Sequence, residues 1–212
     1  WWLALRKGIE TPMLPLAAIV IAAVLWYCTA MIYACLRFIE EWAHSLTLVN
    51  FTLIGLSSGL VLASALAALM GEPRLLGITG PGALVVTLMA WTTRTLAIRR
   101  NAALKPRSTL QSATGIKAPN LVQKSMGMSA GSFNTREFFH GASLAALRQL
   151  KLAFFLLAFA LPALLLGWGV AMQSTPAFLL ALIVQVPGLL AERWFFFAQA
   201  RHPQNLYYQV VS

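Results

Sequence analysis

Five stretches of this chain are each apolar over about the length needed to cross a bilayer, and nothing else restricts its fold as strongly. A transmembrane helix needs about 20 mostly apolar residues at about 1.5 Å of rise apiece. The runs at about 12–36, 48–70, 75–98, 150–172 and 176–197 meet that requirement. Only 10% of the 212 residues are charged and 59% are hydrophobic. Soluble domains carry about 25% charged and about 45–50% apolar residues. The expected fold class is therefore all-α, a polytopic transmembrane helix bundle forming one integral membrane domain over 1–212.

The charge balance then orients the bundle. Sixteen basic residues face six acidic ones, for a net charge of +10. In a soluble protein this excess would suggest nucleic acid, but no nucleic-acid motif is present. In a membrane protein, Lys and Arg mark cytoplasmic loops. Ten of the basic residues fall between Arg94 and Lys151, with Glu137 as the one acid in that interval. Arg94, Arg99, Arg100, Arg148 and Lys151 are taken as charges flanking the spans, which places the 99–149 loop in the cytoplasm. Crossing parity puts the 37–47 connection and the C-terminal tail on the same side. The expected location is a bacterial inner membrane, crossed several times.

Within that loop, "KPRSTLQSATGIKAPN" (105–120) has the Ser, Thr, Pro and Gly content of an extended, mobile segment. Residues 126–141 add Met126, Met128, Phe133, Phe138 and Phe139, an apolar mass that suggests order against a partner. Cys28 and Cys35 lie seven apart in one run, roughly 10 Å along a helix and too far for a disulfide. The chain begins at Trp1, from which an N-terminally incomplete chain is expected.

Several chemistries are excluded. The sequence has no aspartate, so a Ser–His–Asp triad and an aspartate-pair intramembrane protease are both ruled out. His44, His140 and His202 all lie outside the five runs, so no haem ligation is expected in this subunit. No CxxC, HExxH or Walker sequence occurs, and no intrinsic metal is expected.

What remains is a ring of polar groups at one membrane surface. Tyr33 and Arg37, four residues apart, should share a helical face, followed by Glu40, Glu41, Trp42 and His44. The loop contributes Arg136, Glu137 and His140, and the last run contributes Glu192 and Arg193, then Arg201 and His202. An acid inside a span usually pairs or faces a cavity. Arg193 is adjacent to Glu192 and off its face, so a partner from another element is expected, serving either structural pairing or proton handling. Tyr33 and Arg37 suit a quinone headgroup, whose carbonyls need donors and whose ring needs an aromatic wall. "WFFF" (194–197) and Trp91 are expected to be interfacial anchors. Pro187–Gly188 should kink the last helix, tolerated within a bundle. Gly55, Gly59 and Ala63 form a small-residue stripe suited to close helix contact.

Three stretches, "MIYACLRFIEEW" (31–42), "SFNTREFFHG" (132–141) and "ERWFFFAQARHPQNLYYQ" (192–209), together resemble the membrane-anchor subunit of dimethyl sulfoxide reductase-type molybdoenzymes. The likeness is nearest to the anchors of cytoplasmic membrane-bound sulfite dehydrogenases and extends over essentially the whole chain. It implies an eight-helix anchor of which this chain is similar to the last five helices. It also implies two partners, an iron–sulfur subunit with four clusters and a molybdopterin catalytic subunit. The anchor would bind quinone or quinol (ubiquinone or menaquinone) near the last cluster, and substrate chemistry would belong to the catalytic subunit. By the resemblance Tyr33 matches a tyrosine near the quinone pocket, with other family ligands on the absent helices. The expected quinone-site residues are thus Tyr33, Arg37, Trp42, His44 and Glu192. Arg136, Glu137, His140, Arg201 and His202 would face the iron–sulfur partner. A transporter or channel fragment and a purely structural assembly subunit are the alternatives.

Overall fold

A computed structural model describes residues 11–105, 108–121 and 143–201. The elements are α1 (Met13–Ala34), α2 (Ser45–Met70), α3 (Pro73–Ala102), a single turn α4 (Leu110–Thr114), α5 (Leu144–Phe154), a π-helical segment (Phe155–Ala160), α6 (Leu161–Met172) and α7 (Thr175–Ala198). No strand occurs among the described residues. Five helices are long and apolar enough to cross a membrane, with α5, the π segment and α6 acting as one. The all-α expectation therefore holds, with every helix end within six residues of its expected position and the larger shifts having physical reasons. His44 caps α2 and starts it three residues early. Ser143 caps α5 through a bond from Ala146 N, so this span begins before its apolar run.

The helices α2 and α3 form one antiparallel hairpin, and α5–α6 with α7 form another. The two pack together through α2 against α7 and α3 against α6, while α1 lies along α2. In α1 only Ala30 is buried. Elsewhere the buried positions recur at intervals of three and four, as in Thr47, Asn50, Ile54, Ser57, Val61 and Ser64 of α2. That spacing is the inward face of a helix. Here it is small and polar because apolar side chains already have lipid to face, leaving close packing and hydrogen bonds to hold the helices together.

The π segment has a local cause. Pro162 lacks an N–H, so it cannot donate to the carbonyl of Ala158, four residues earlier. The Ala158 carbonyl instead accepts from Gln185 Nε2 of α7 at 3.5 Å, and the same Nε2 donates to Ser57 Oγ of α2 at 3.2 Å. Ser57 Oγ in turn lies 2.7 Å from Thr87 Oγ1 of α3. One side chain thus links three helices around an irregular turn. Gly188 permits the contact: a Cβ there would collide with the backbone at Leu157 and Ala158.

Several expectations change. Of the small-residue stripe, Gly55 sits close to another helix, with its ideal Cβ 3.1 Å from Trp26 Nε1, while Gly59 meets nothing within 4 Å. Of "WFFF", only Trp194 is exposed, whereas Phe195 and Phe196 belong to the core. Trp91 is half-buried against the cluster around Phe154 and Phe195. The 105–120 segment is not wholly extended, because Thr109 and Ser112 form a capping box that starts α4, and Gly115 ends it at φ 72°. Cys28 and Cys35 are unpaired and exposed.

Candidate functional site

The functional candidates gather at one end of the bundle, where the 35–44 connection meets the last turns of α3 and α7. The connection is folded down onto the helix ends. Arg100 Nη1 donates to the Glu40 carbonyl at 3.0 Å, and Asn101 Nδ2 donates to the Glu41 carbonyl at 3.4 Å. The indole N–H of Trp42 donates to the Phe196 carbonyl at 3.2 Å. The Trp42 bond also answers a local need, since the last carbonyls of a helix have no partner within it.

Beneath the connection lies an aromatic cluster. Trp42 stacks on Phe196 at 5.2 Å with the rings 9° from parallel. Tyr33 meets Trp42, Phe51, Phe196 and Phe197 at 5.3–5.6 Å. Offset-stacked and edge-to-face contacts of this kind add about 0.5–1.5 kcal/mol per pair beyond the area they bury.

Next to the cluster is a buried ion group. Glu192 of α7 is 1% exposed, and its Oε1 lies 2.7 Å from Nε of Arg94, itself 3% exposed. Its Oε2 accepts from Arg193 Nε at 2.9 Å. Adjacency therefore did not prevent pairing, because the long Arg193 side chain folds back to the carboxylate. Arg193 also lies over the Phe51 ring, 4.1 Å from its centroid. The expected partner from another element is Arg94, and this corrects its reading as a charge flanking the span. The sequence did hold a signal for it: Arg94 lies seven residues from Thr87 and from Asn101, on the buried stripe of α3.

The ion group borders a small cavity with room for about one water. His44, Asn50, Phe51, Arg94, Glu192 and Phe196 are among its lining. Glu41, Arg100, Asn101 and Arg193 also contribute, and of these only Glu41 and Arg193 belong to the polar ring expected from the sequence. Asn50 Oδ1 accepts from Thr93 Oγ1 at 2.9 Å, which fixes the amide. Arg94 stands twenty-one residues after Pro73, about 32 Å along the helix axis. That distance is close to the roughly 30 Å hydrocarbon thickness, so with Pro73 at one membrane face the cavity falls at the other.

His44 has a structural task here. Its Nδ1 accepts from the Leu46 backbone N–H at 3.1 Å, capping α2. Burial, and then the nearby Arg100 guanidinium, hold its imidazole below the usual range, which keeps that nitrogen free to accept.

Of the five expected quinone-site residues, His44 and Glu192 line the cavity, while Tyr33 and Trp42 stand one ring behind it against Phe51 and Phe196. Arg37 does not join them. α1 ends at Ala34, so Arg37 lies in the following turns, exposed and without the helical register that would align it with Tyr33. Among the expected partner-facing residues, Arg201 is 65% exposed with its Nε 4.0 Å from Glu41 Oε1. Arg136, Glu137, His140 and His202 lie outside the described residues.

A bundle of apolar helices carrying a buried ion group and an aromatic cluster at one end defines an integral membrane protein with a polar site at its surface. Residues 5–207 match the model of the DMSO reductase anchor subunit (DmsC) family, and the chain belongs to that family. It is 46% identical over 202 residues to a sulfite dehydrogenase subunit of Allochromatium vinosum, covering 95% of this chain and 62% of that relative. The chain thus spans somewhat under two thirds of that protein's length. No solved structure matches it.

Proposed function

We propose that this chain is the quinone-binding membrane anchor of a molybdopterin oxidoreductase, passing electrons between the quinone pool and an iron–sulfur subunit bound at the cavity end of the bundle. The relative belongs by name to a sulfite dehydrogenase, which makes sulfite oxidation by the catalytic partner the associated chemistry. The observation that carries the reading is the cavity itself: buried hydrogen-bonding groups beside an aromatic wall, at the depth where a headgroup could meet a partner while its tail stays in lipid. In this role Phe51 and Phe196 supply the wall, with Tyr33 and Trp42 behind them. His44 is placed to exchange a proton, and Glu192 holds the arginines beside the cavity. Arg201 stands at the partner-facing rim, and Arg136, Glu137, His140 and His202 are assigned to the same partner surface.

Purification of the tagged chain from its native membrane tests the assignment. An iron–sulfur protein and a molybdenum-containing chain should co-purify, and the complex should oxidise or reduce an added quinone. A preparation that brings down neither chain overturns the reading.

A further inference from the structure

We propose that Arg94, which neither the family match nor the resemblance singles out, is the residue through which this cavity grips a quinone oxygen. The inference rests on the cavity being the quinone site.

The argument begins with an imbalance. Three arginines (Arg94, Arg100 and Arg193) and two glutamates (Glu41 and Glu192) line the cavity. Glu192 is shared between two of those arginines, while Glu41 has Arg201 within ion-pairing distance from outside. A buried pair built only for structure would balance its charges and saturate its donors, because uncompensated buried charge is costly. Arg94 does neither. Its Nε contacts Glu192 Oε1 off the hydrogen-bond direction, and its Nη2 is buried without a hydrogen-bond partner among the described residues. Buried donors in this condition call for an acceptor.

Size then selects the acceptor. The cavity holds about one water, so it admits one oxygen atom but neither an aromatic ring nor a tetrahedral phosphate. A quinone carbonyl meets that limit: its oxygen reaches Arg94 while the ring stays at the rim, against half-buried Phe51 and beside Arg193, which is 33% exposed. A guanidinium suits this task better than an ammonium. It can keep one N–H group on Glu192 and turn another to the ligand. Glu192 is thereby a positioning residue, and Arg94 is the group that touches the ligand.

Photolabelling of the intact complex with an azido-ubiquinone tests this. Wild type should be labelled on peptides of α3 or α7 that line the cavity. R94Q/E192Q removes both buried charges together and leaves only the partly exposed Arg193 without its carboxylate. R94K keeps the ion pair but lacks the second arm. Label at those peptides should fall about tenfold in both variants, the change one lost charged hydrogen bond produces. Melting temperature is followed in parallel, since a merely structural role would move it without a selective loss of label. Undiminished label in either variant overturns the assignment of Arg94 while leaving the quinone site standing. Absence of label at the cavity in wild type overturns the quinone reading itself. If the double variant fails to accumulate, R94K decides by the same criterion.

Discussion

The indole N–H of Trp42 donates to the Phe196 carbonyl while its ring stacks on the Phe196 side chain. Residues 154 positions apart are joined by a polar and an apolar contact at once. The connection after the first span is thereby fastened to the end of the last span, and the cavity is closed from that side.

Trp42→Ala should remove both contacts. Large aromatic-to-alanine changes in a packed site cost about 3–5 kcal/mol. Trp42→Phe keeps most of the stacking and loses the donor, at about 1–3 kcal/mol for the unsatisfied carbonyl. Thermal denaturation in detergent should rank wild type above Phe above Ala. Equal melting temperatures for wild type and Trp42→Phe would show that the hydrogen bond contributes nothing.

Glu192→Gln should leave Arg94 buried without its counter-ion, at about 3–5 kcal/mol. Adding Arg94→Gln should recover part of that loss, so the two changes should be strongly non-additive. A double-mutant cycle measures this directly, and simple additivity would mean that the 2.7 Å contact carries no coupling.

Gly188→Ala should sharply reduce folded protein, because a Cβ there runs into the backbone of the π segment. Gly59→Ala is the matched control: nothing lies within 4 Å, and alanine is the better helix former by about 1 kcal/mol. Gel filtration of membrane extracts reads both. Equal yields for the two variants would contradict the close packing at Gly188.

His44 should make stability depend on pH. Its folded pKa is lowered by burial and by Arg100, so the unfolded chain takes up a proton first, near the ordinary value of about 6.5. The stabilisation is fully present above that value and is lost as pH falls through it towards the folded pKa. Protonation also removes the Nδ1 acceptor that caps α2. His44→Asn retains a good cap without the titration. Wild type should lose melting temperature between pH 7.5 and pH 5 by more than His44→Asn does, and parallel profiles would exclude this residue as the source. These pH values are chosen as roughly one unit or more either side of the ordinary pKa.

The basic residues around the 99–149 loop carry a topological expectation. A single cysteine placed at Lys117, with Cys28 and Cys35 replaced, should resist an impermeant thiol reagent in intact cells and react after permeabilisation. Reaction from outside without permeabilisation would invert the bundle.

The spans were legible because twenty apolar residues in succession have few other fates, and Glu192 was legible because an acid within such a run needs an explanation. Arg94 was not, because it sits near the end of its run and the charge rule offered a ready account of it. Only the folded helix shows that α3 continues to Ala102 and turns Arg94 inward. Trp42 lay outside every span, and its burial depends on an element 154 residues away. Arg37 was misplaced for the opposite reason: helical register was carried past Ala34, where the helix stops.

The carbonyl released by Pro162 has an effect that reaches well beyond the π segment. Gln185 and Glu192 are seven residues apart on α7, two turns along nearly the same line, because seven steps of a 3.6-residue helix return to within about 20°. The bonds from Gln185 to Ala158 and Ser57 act as a spline on a shaft. They fix the angle of α7 about its own axis, and with it the direction in which Glu192 points, about 10 Å nearer the surface. A proline on one helix thereby sets the aim of a carboxylate on another.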